Sequence, residues 1–384
     1  MARLNILIIT KWYPSEVHPK SGVFVEELAK ALSARHNVTV LFAYPSPRPL
    51  KGFFGVQTEE TPGLKIVRVK YWNLLPLPGI LETFLFNWWI KRIYKKVLAP
   101  AYHPDIINAH VYRSATSALA IGKLTKAPVI LSEHSLELLD QKELTPEFKL
   151  FARHYLPKFF QILPVSTALK NELARFAPQV KMTVVPNVVD TNIFYPAPAQ
   201  NKTTAPLKRI LTVSLLMPVK GITELLTAVN RLKRKRQDFV LDIVGDGIGR
   251  KSLETIVTEH QLERFVKFHG LKSKQEIATF MRECAFFTLP SWMVTFGVVF
   301  IEAMACGKPI VATNVGNIPD LVNEERGRLV PPRDPVALEG ALSWMLDNYT
   351  AYPSTKIAQF ARDHFSYPAV AAKLDQIFQE VLQQ

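Results

Sequence analysis

The stretch that decides the fold runs from Pro290 to Val322: PSWMVTFGVVFIEAMACGKPIVATNVGNIPDLV. It follows a β-rich apolar run, AFFTLP from Ala285, and contains another, PIVAT from Pro309, with a segment of helical periodicity between them. Strand, helix and strand at that spacing make a βαβ unit with parallel strands. The helix opens at Phe296-Gly297-Val298-Val299, where unpaired amides at a helix N-terminus can take phosphate oxygens and Gly297 permits close backbone approach. Glu302 lies in the otherwise apolar VVFIEAMA, where a carboxylate is costly unless it is paired or presented to a ligand.

The same rhythm extends in both directions. NILIIT (from Asn5), NVTVLFAY (Asn37), KIVRVKYW (Lys65), DIINAH (Asp105) and PVILSEH (Pro128) alternate with helical segments. After a Pro-, Ala-, Thr- and Asn-rich interruption beginning at Tyr195, the alternation resumes with RILTVS (Arg209), FVLDIVG (Phe239) and FVKFHG (Phe265). The expectation is α/β architecture with two doubly wound, Rossmann-like domains: residues 1–195, a linker at 196–208, and 209–355. A C-terminal helix at 356–384, broken near Tyr367-Pro368, is expected to pack back on the N-terminal domain. Ligands in such folds bind beyond the carboxyl ends of strands, so two facing domains imply a cleft.

Composition agrees with two cores of ordinary size: 384 residues, 48% of them hydrophobic. The two cysteines, Cys284 and Cys306, lack metal-ligand or disulfide-framework spacing, which fits a reducing cytoplasm. No apolar stretch is long enough to span a bilayer. Net charge is +14, and residues 1–195 carry 24 Lys/Arg against 14 Asp/Glu, so most of the excess lies in the N-terminal half. A basic face of this kind attracts nucleic acid, anionic lipid or phosphorylated substrate, and charge alone does not choose among them.

Gly22 and Phe24 after the first strand, His110, SEHS at 132–135, PNVVD from Pro186, LMPVKG from Leu216, VGDG from Val244 and the long stretch from Pro290 together resemble the retaining glycosyltransferases of family 4, of GT-B fold. That resemblance implies transfer of a sugar from a nucleoside diphosphate sugar to a hydroxyl of a glycan or lipid-linked acceptor, as in bacterial surface polysaccharide biosynthesis. It implies Lys220 on the diphosphate, with the Gly297 and Val298 amides beside Phe296 and with Gly22 approaching from the other domain. It further implies Glu302 on the ribose, the Leu271 and Lys272 backbone near the base, and His134 as the active-site histidine. His110 has a looser acceptor-side role. The donor is a substrate; no cofactor is implied, and without an Asp-x-Asp pair no metal is indicated.

The chain departs from the family where the first glutamate of the E-x7-E pair is replaced by Val294, a donor-site position that valine cannot serve by hydrogen bonding. Leu215 stands where many relatives carry Arg, Asn317 where they carry the second glycine of a Gly-Gly loop, and Val188 at the glycine of PNGVD. Val294 keeps open a second reading, a nucleotide-sugar-binding protein with impaired turnover. A sugar-nucleotide epimerase of the same architecture is a third, and phosphorylase-like chemistry would need a lysine-bound pyridoxal group.

TFLFNWWIKRIYKKVL, from Thr83, sets Lys91, Arg92, Lys95 and Lys96 beside Phe86, Trp88, Trp89, Ile90 and Ile93 at helical spacing. It reads either as a helix for an anionic membrane surface, with residues 83–98 making a cytoplasmic enzyme peripheral, or as a core helix with a solvated basic face. RLKRKR from Arg231 lacks interleaved aromatics and reads as a solvated face rather than a nucleic-acid site. Gly245, Gly247 and Gly249 have the wrong spacing for a dinucleotide fingerprint, and CGKP at Cys306 lacks the hydroxyl of a phosphate-binding loop.

Overall fold

Strand β1, Asn5–Thr10, is buried at every position after the first, as a parallel strand covered on both faces must be. The structure is a computed structural model that describes residues 3–19, 21–46, 54–72, 79–139, 144–197 and 207–384. It divides into two compact units, Met1–Val188 with Tyr367–Gln384, and Val189–Ser366. Most of the linker expected at 196–208 lies outside the described residues.

In the first unit β1 is followed by α1 (Val23–Ser33), β2 (Asn37–Ser46), β3 (Phe54–Thr61), β4 (Leu64–Trp72), α2 (Gly79–Ile93), β5 (Ile106–His110), α3 (Ala115–Thr125), β6 (Val129–Glu133), α4 (Pro146–Tyr155), β7 (Gln161–Pro164) and α5 (Thr167–Ala174). The sheet order is β3-β4-β2-β1-β5-β6-β7, parallel except for the β3–β4 hairpin. β3 was absent from the sequence reading, because this edge strand is largely exposed and polar (GVQTEET) and shows no apolar run.

The second unit comprises β8 (Lys208–Val213), α6 (Ile222–Leu232), β9 (Phe239–Val244), α7 (Arg250–Glu259), β10 (Val266–Gly270), α8 (Lys274–Glu283), β11 (Phe286–Leu289), α9 (Val298–Ala305), β12 (Ile310–Thr313), α10 (Ile318–Leu321), β13 (Gly327–Val330), α11 (Pro335–Asn348) and α12 (Ser354–Phe365). All of its strands are parallel, in the order β10-β9-β8-β11-β12-β13. Numbered within the sheet this is 3-2-1-4-5-6, with its switch point between β8 and β11. α6 shows why the helices lie where they do: Ile222, Leu225, Leu226, Val229 and Leu232 are buried on one face, which packs on α11.

The last helix, α13 (Tyr367–Leu382), belongs to the first unit and packs on α1. Val370, Leu374, Phe378 and Val381 join Leu28 and Leu32 in its core. Asp375 fixes the position, accepting from Arg35 at 2.5 Å and from His36 Nε2 at 2.6 Å, while Glu27 meets Tyr367 and Lys181 meets Glu380. The break between α12 and α13 falls at Ser366, one residue before the Tyr-Pro pair that signals it.

Candidate active site

In the second unit, the loops beyond the carboxyl ends of the strands, and the helix α9 that one of them opens, carry the residues that the sequence placed near a donor. Ser214–Gly221 follows β8, Leu271 and Lys272 follow β10, and Pro290–Gly297 follows β11. Two of these loops meet at the switch point. Gly221, left-handed at φ 68°, caps α6, and a Cβ there would come within 2.0 Å of the Pro290 carbonyl oxygen. Only glycine lets the two backbones approach so closely.

Lys220 ends the short 3₁₀ turn Pro218–Lys220 immediately before that glycine. Its side chain is half-buried, and burial lowers its pKa. Among the described residues it has no carboxylate or carbonyl partner. At the carboxyl ends of the same strands, the buried hydroxyls of Thr212 and Ser214 (β8 side) and of Thr288 and Ser291 (β11 side) likewise have no protein partners. A half-buried cation without an acidic partner at a strand end is an arrangement suited to an anion.

Helix capping points the same way. α5, α8 and α11 are closed at their N-termini by Ser166, Ser273 and Asp334 side chains, and α8 has a full capping box with Glu276. α1, α6 and α9 instead open on the left-handed glycines Gly22, Gly221 and Gly297, with no side-chain cap. Their first amides remain available, at the ends of β1, β8 and β11 respectively. Gly221 was not singled out from the sequence; a Lys-Gly step just after a strand was the available signal.

The remaining predicted donor residues divide. Glu302 is half-buried on α9. Val298 is the first residue of that helix. Phe296 turns its ring into the unit's interior against Phe365, leaving its backbone at the loop. Leu271 is exposed, while Lys272 is engaged with Glu276 at 3.1 Å. Val294 is buried, with its carbonyl against Gly316 and a methyl toward Gly297. Leu215 is exposed. The glycines of VGDGIG lie against the backbone of Ser214 and Leu216 and shape this loop rather than a dinucleotide turn. Lys308 of CGKP donates to the Arg282 and Cys284 carbonyls at 2.8 and 2.7 Å, finishing α8.

In the first unit the structure brings together four residues that the sequence could only place singly. Gly22 lies against the Trp12 carbonyl, so that α1 begins at the end of β1. Phe24 packs on the His134 ring at 4.3 Å between centroids, and His134 Nε2 lies 3.2 Å from His110 Nδ1. Burial pushes His110 down to about 3. Burial, then the neighbouring His110, pushes His134 well below the ordinary imidazole range. Both rings are therefore neutral at physiological pH, so His134 offers hydrogen bonding and a lone pair rather than a standing positive charge.

Glu133, next to His134, went unremarked in the sequence. Its buried carboxylate accepts from the Tyr112, His134 and Ser135 amides at 2.7–2.9 Å and from the Ser135 hydroxyl at 2.6 Å. It ties the turns after β5 and β6 into one platform. Val111, between His110 and Tyr112, is held at φ 59°, a costly conformation for a β-branched residue.

Two family descriptions together cover most of the chain: "Glycosyltransferase Family 4" matches residues 21–193 and "Glycosyl transferases group 1" matches residues 197–363. The chain belongs to the family 4 glycosyltransferases. This glycosyltransferase is 24% identical to a glycogen synthase of Mycobacterium tuberculosis over 98% of its own length and 94% of that protein. It is 29% identical to the putative colanic acid biosynthesis glycosyltransferase WcaL of Escherichia coli over 73% of its own length and 72% of that protein. Among solved structures, sucrose-phosphate synthase from Thermosynechococcus elongatus superposes with a TM-score of 0.82 at 22% identity, covering 99% of this chain and 100% of that one. The fold is thus GT-B, and the glycosyltransferase assignment sets the epimerase reading aside.

Proposed function

We propose that this glycosyltransferase moves a sugar from a nucleoside diphosphate sugar to a hydroxyl of a glycan or lipid-linked acceptor, with retention, in surface polysaccharide biosynthesis on the cytoplasmic side. The observation that carries the donor half is Lys220, a half-buried ammonium with no acidic partner among the described residues, next to the uncapped N-terminus of α6. The similarity to WcaL supports the polysaccharide role.

In the proposed reaction the bond from sugar C1 to the diphosphate oxygen breaks, and that oxygen takes the electron pair. Lys220 and the amides opening α6 and α9 would stabilise the charge that develops there. Gly22 would leave the first amides of α1 free for a donor phosphate. The acceptor oxygen adds to C1 from the face the diphosphate leaves, and its proton passes to the departing phosphate oxygen. His134, neutral and braced by His110 and Phe24, would hydrogen-bond a sugar hydroxyl. Glu302 would receive the ribose hydroxyls, while the Leu271 and Lys272 backbone would meet the base. These roles need no bound metal, and undiminished turnover in excess chelator is the expected result.

The buried apolar Val294 favours a second reading, donor binding with impaired turnover. The test is a panel of UDP-, GDP- and ADP-sugars, scored for binding, transfer and donor hydrolysis. Absence of binding across the panel sinks the donor reading. Binding with neither transfer nor hydrolysis selects the second reading.

A further inference from the structure

The helix α2 continues into a π-helical turn, Tyr94–Leu98, and one side of this rod is well anchored. Phe86, Trp89, Ile90, Ile93, Tyr94 and Leu98 are buried. Asn87 donates to the Thr83 and Arg113 carbonyls and accepts from the Ser117 amide, which locks α2 onto α3. The orientation of the opposite side is therefore fixed by the core.

That opposite side is unusual in two respects. Leu81, Phe84 and Trp88, spaced along one face of α2, are 51%, 70% and 42% exposed, and Val97 and Leu124 of α3 are exposed nearby. Next to them, Lys91, Arg92, Lys95, Lys96 and Lys123 line an open groove of about 610 Å³ together with Trp88 and Leu124. The π-turn leaves Lys95, Lys96 and Val97 exposed in succession between buried Tyr94 and Leu98.

None of these five cations has a carboxylate partner among the described residues; Arg92 instead lies over the Trp88 ring. Elsewhere on the same unit Lys30, Arg35, Lys65, Arg68, Lys70, Arg113, Arg175 and Lys181 are all paired with acids. The other basic run, RLKRKR, is partly neutralised: Arg236 pairs with Asp238 and Asp347, and Lys235 with Glu339. Five cations without a carboxylate partner among the described residues thus share one face with large exposed apolar side chains.

We propose that this face of α2, its π-turn and the end of α3 dock on an anionic lipid bilayer, with Leu81, Phe84 and Trp88 entering the interfacial layer and the lysines meeting phosphate headgroups. Exposed aromatics beside uncompensated cations are the combination that such a surface rewards, because apolar burial and attraction to anionic lipid add. A polyanion in solution would use the cations and leave Leu81 and Phe84 in water. Docking is independent of the donor reading, and it would bring a lipid-linked acceptor to the unit that carries His134.

The full chain is sedimented with vesicles of phosphatidylcholine alone and of phosphatidylcholine with phosphatidylglycerol, at low and high salt. Binding is expected only to the anionic vesicles, and less at high salt. Lys95→Gln with Lys96→Gln should weaken it on the order of thirtyfold, from the usual contribution of each lysine near an anionic surface. Phe84→Ser should also weaken it, and brominated lipid should quench fluorescence in the wild type but much less in Trp88→Phe. Equal binding to neutral vesicles, no binding to anionic ones, or unchanged binding by the lysine variant overturns the proposal. So does full displacement by free phosphate or RNA, or concentration-dependent dimerisation that buries Trp88. Wild-type melting of the ligand-free samples shows that the variants are folded, and the shift with nucleoside diphosphates, read separately, keeps failure of the donor reading distinct.

Discussion

Replacing Lys220 with Met separates a ligand-binding lysine from a structural one, because the two roles predict opposite signs in the ligand-free protein. The ammonium is half-buried, and burial lowers its pKa below the usual 10.5. Between the folded and unfolded pKa values the folded state binds fewer protons, so stability rises with pH across that window. Below it, at neutral pH, folding carries the full cost of burying the charge. Methionine keeps most of the stem packing and removes that cost, so the unliganded variant should melt at the same temperature as the wild type or slightly higher.

The ligand-bound comparison has the opposite sign. One charge-assisted hydrogen bond to phosphate contributes about 1.5–3 kcal/mol, so its loss should weaken nucleoside diphosphate binding roughly ten- to a hundredfold. At ligand a hundredfold above the wild-type Kd, the wild type gains about 2.7 kcal/mol and the variant about 0.4–1.4 kcal/mol. For a unit of this size that is a shift of roughly 5–10 °C against at most about 5 °C. Differential scanning fluorimetry with UDP, GDP and ADP reads both quantities. A variant that melts lower without ligand and keeps the full ligand shift refutes the reasoning, since the lysine would then be serving the fold.

The buried histidines set a pH dependence. With His110 at about 3 folded and 6.5 unfolded, the unfolded chain takes up a proton that the folded one refuses. Stability is therefore complete above pH 6.5 and falls below it, by about 2 kcal/mol at pH 5 from this residue alone; urea unfolding should show that His110→Gln flattens the slope, and an equal slope in the variant contradicts the burial argument. Gly221→Ala places a methyl against the Pro290 carbonyl at φ 68° and should abolish the nucleoside diphosphate shift while costing at least about 1–2 kcal/mol of stability; an alanine variant with wild-type melting and ligand response rejects the close approach. Val294→Glu buries a carboxylate among apolar atoms and should destabilise the ligand-free protein by about 1–3 kcal/mol; a sharp gain in turnover, against a wild type that only binds donor, would establish the second functional reading.

The strands were legible where physics makes them local. β1, β2, β5, β6, β9 and β11 are largely buried and read as predominantly apolar runs, whereas the polar edge β3 and the four-residue β7 and β13 leave no such trace. Lys220 and Gly297 were readable because strand ends and helix openings announce themselves in sequence. Glu133 was not, because its value lies in amides from turns that only the sheet brings together. Nor was the His36–Asp375 bond, whose partners are 339 residues apart.

Charge shows the same limit from another side. The chain's +14 says nothing about which cations are available for binding, since a lysine capping α8 and a lysine facing a phosphate count alike. Pairing distinguishes them. Lys308, Lys235 and Arg236 are satisfied by carbonyls or carboxylates, so removing them should cost stability and leave binding intact. Lys220 and the α2 cluster have no such partners among the described residues, and the unsatisfied charge is stabilised only when an anion arrives. A cation without an acidic partner is therefore informative only together with its surroundings, and here two such settings differ in geometry. One is the turn between β8 and α6 at a sheet's switch point, beside an uncapped helix N-terminus; the other is a broad face edged with exposed aromatics, suited to a surface rather than a molecule.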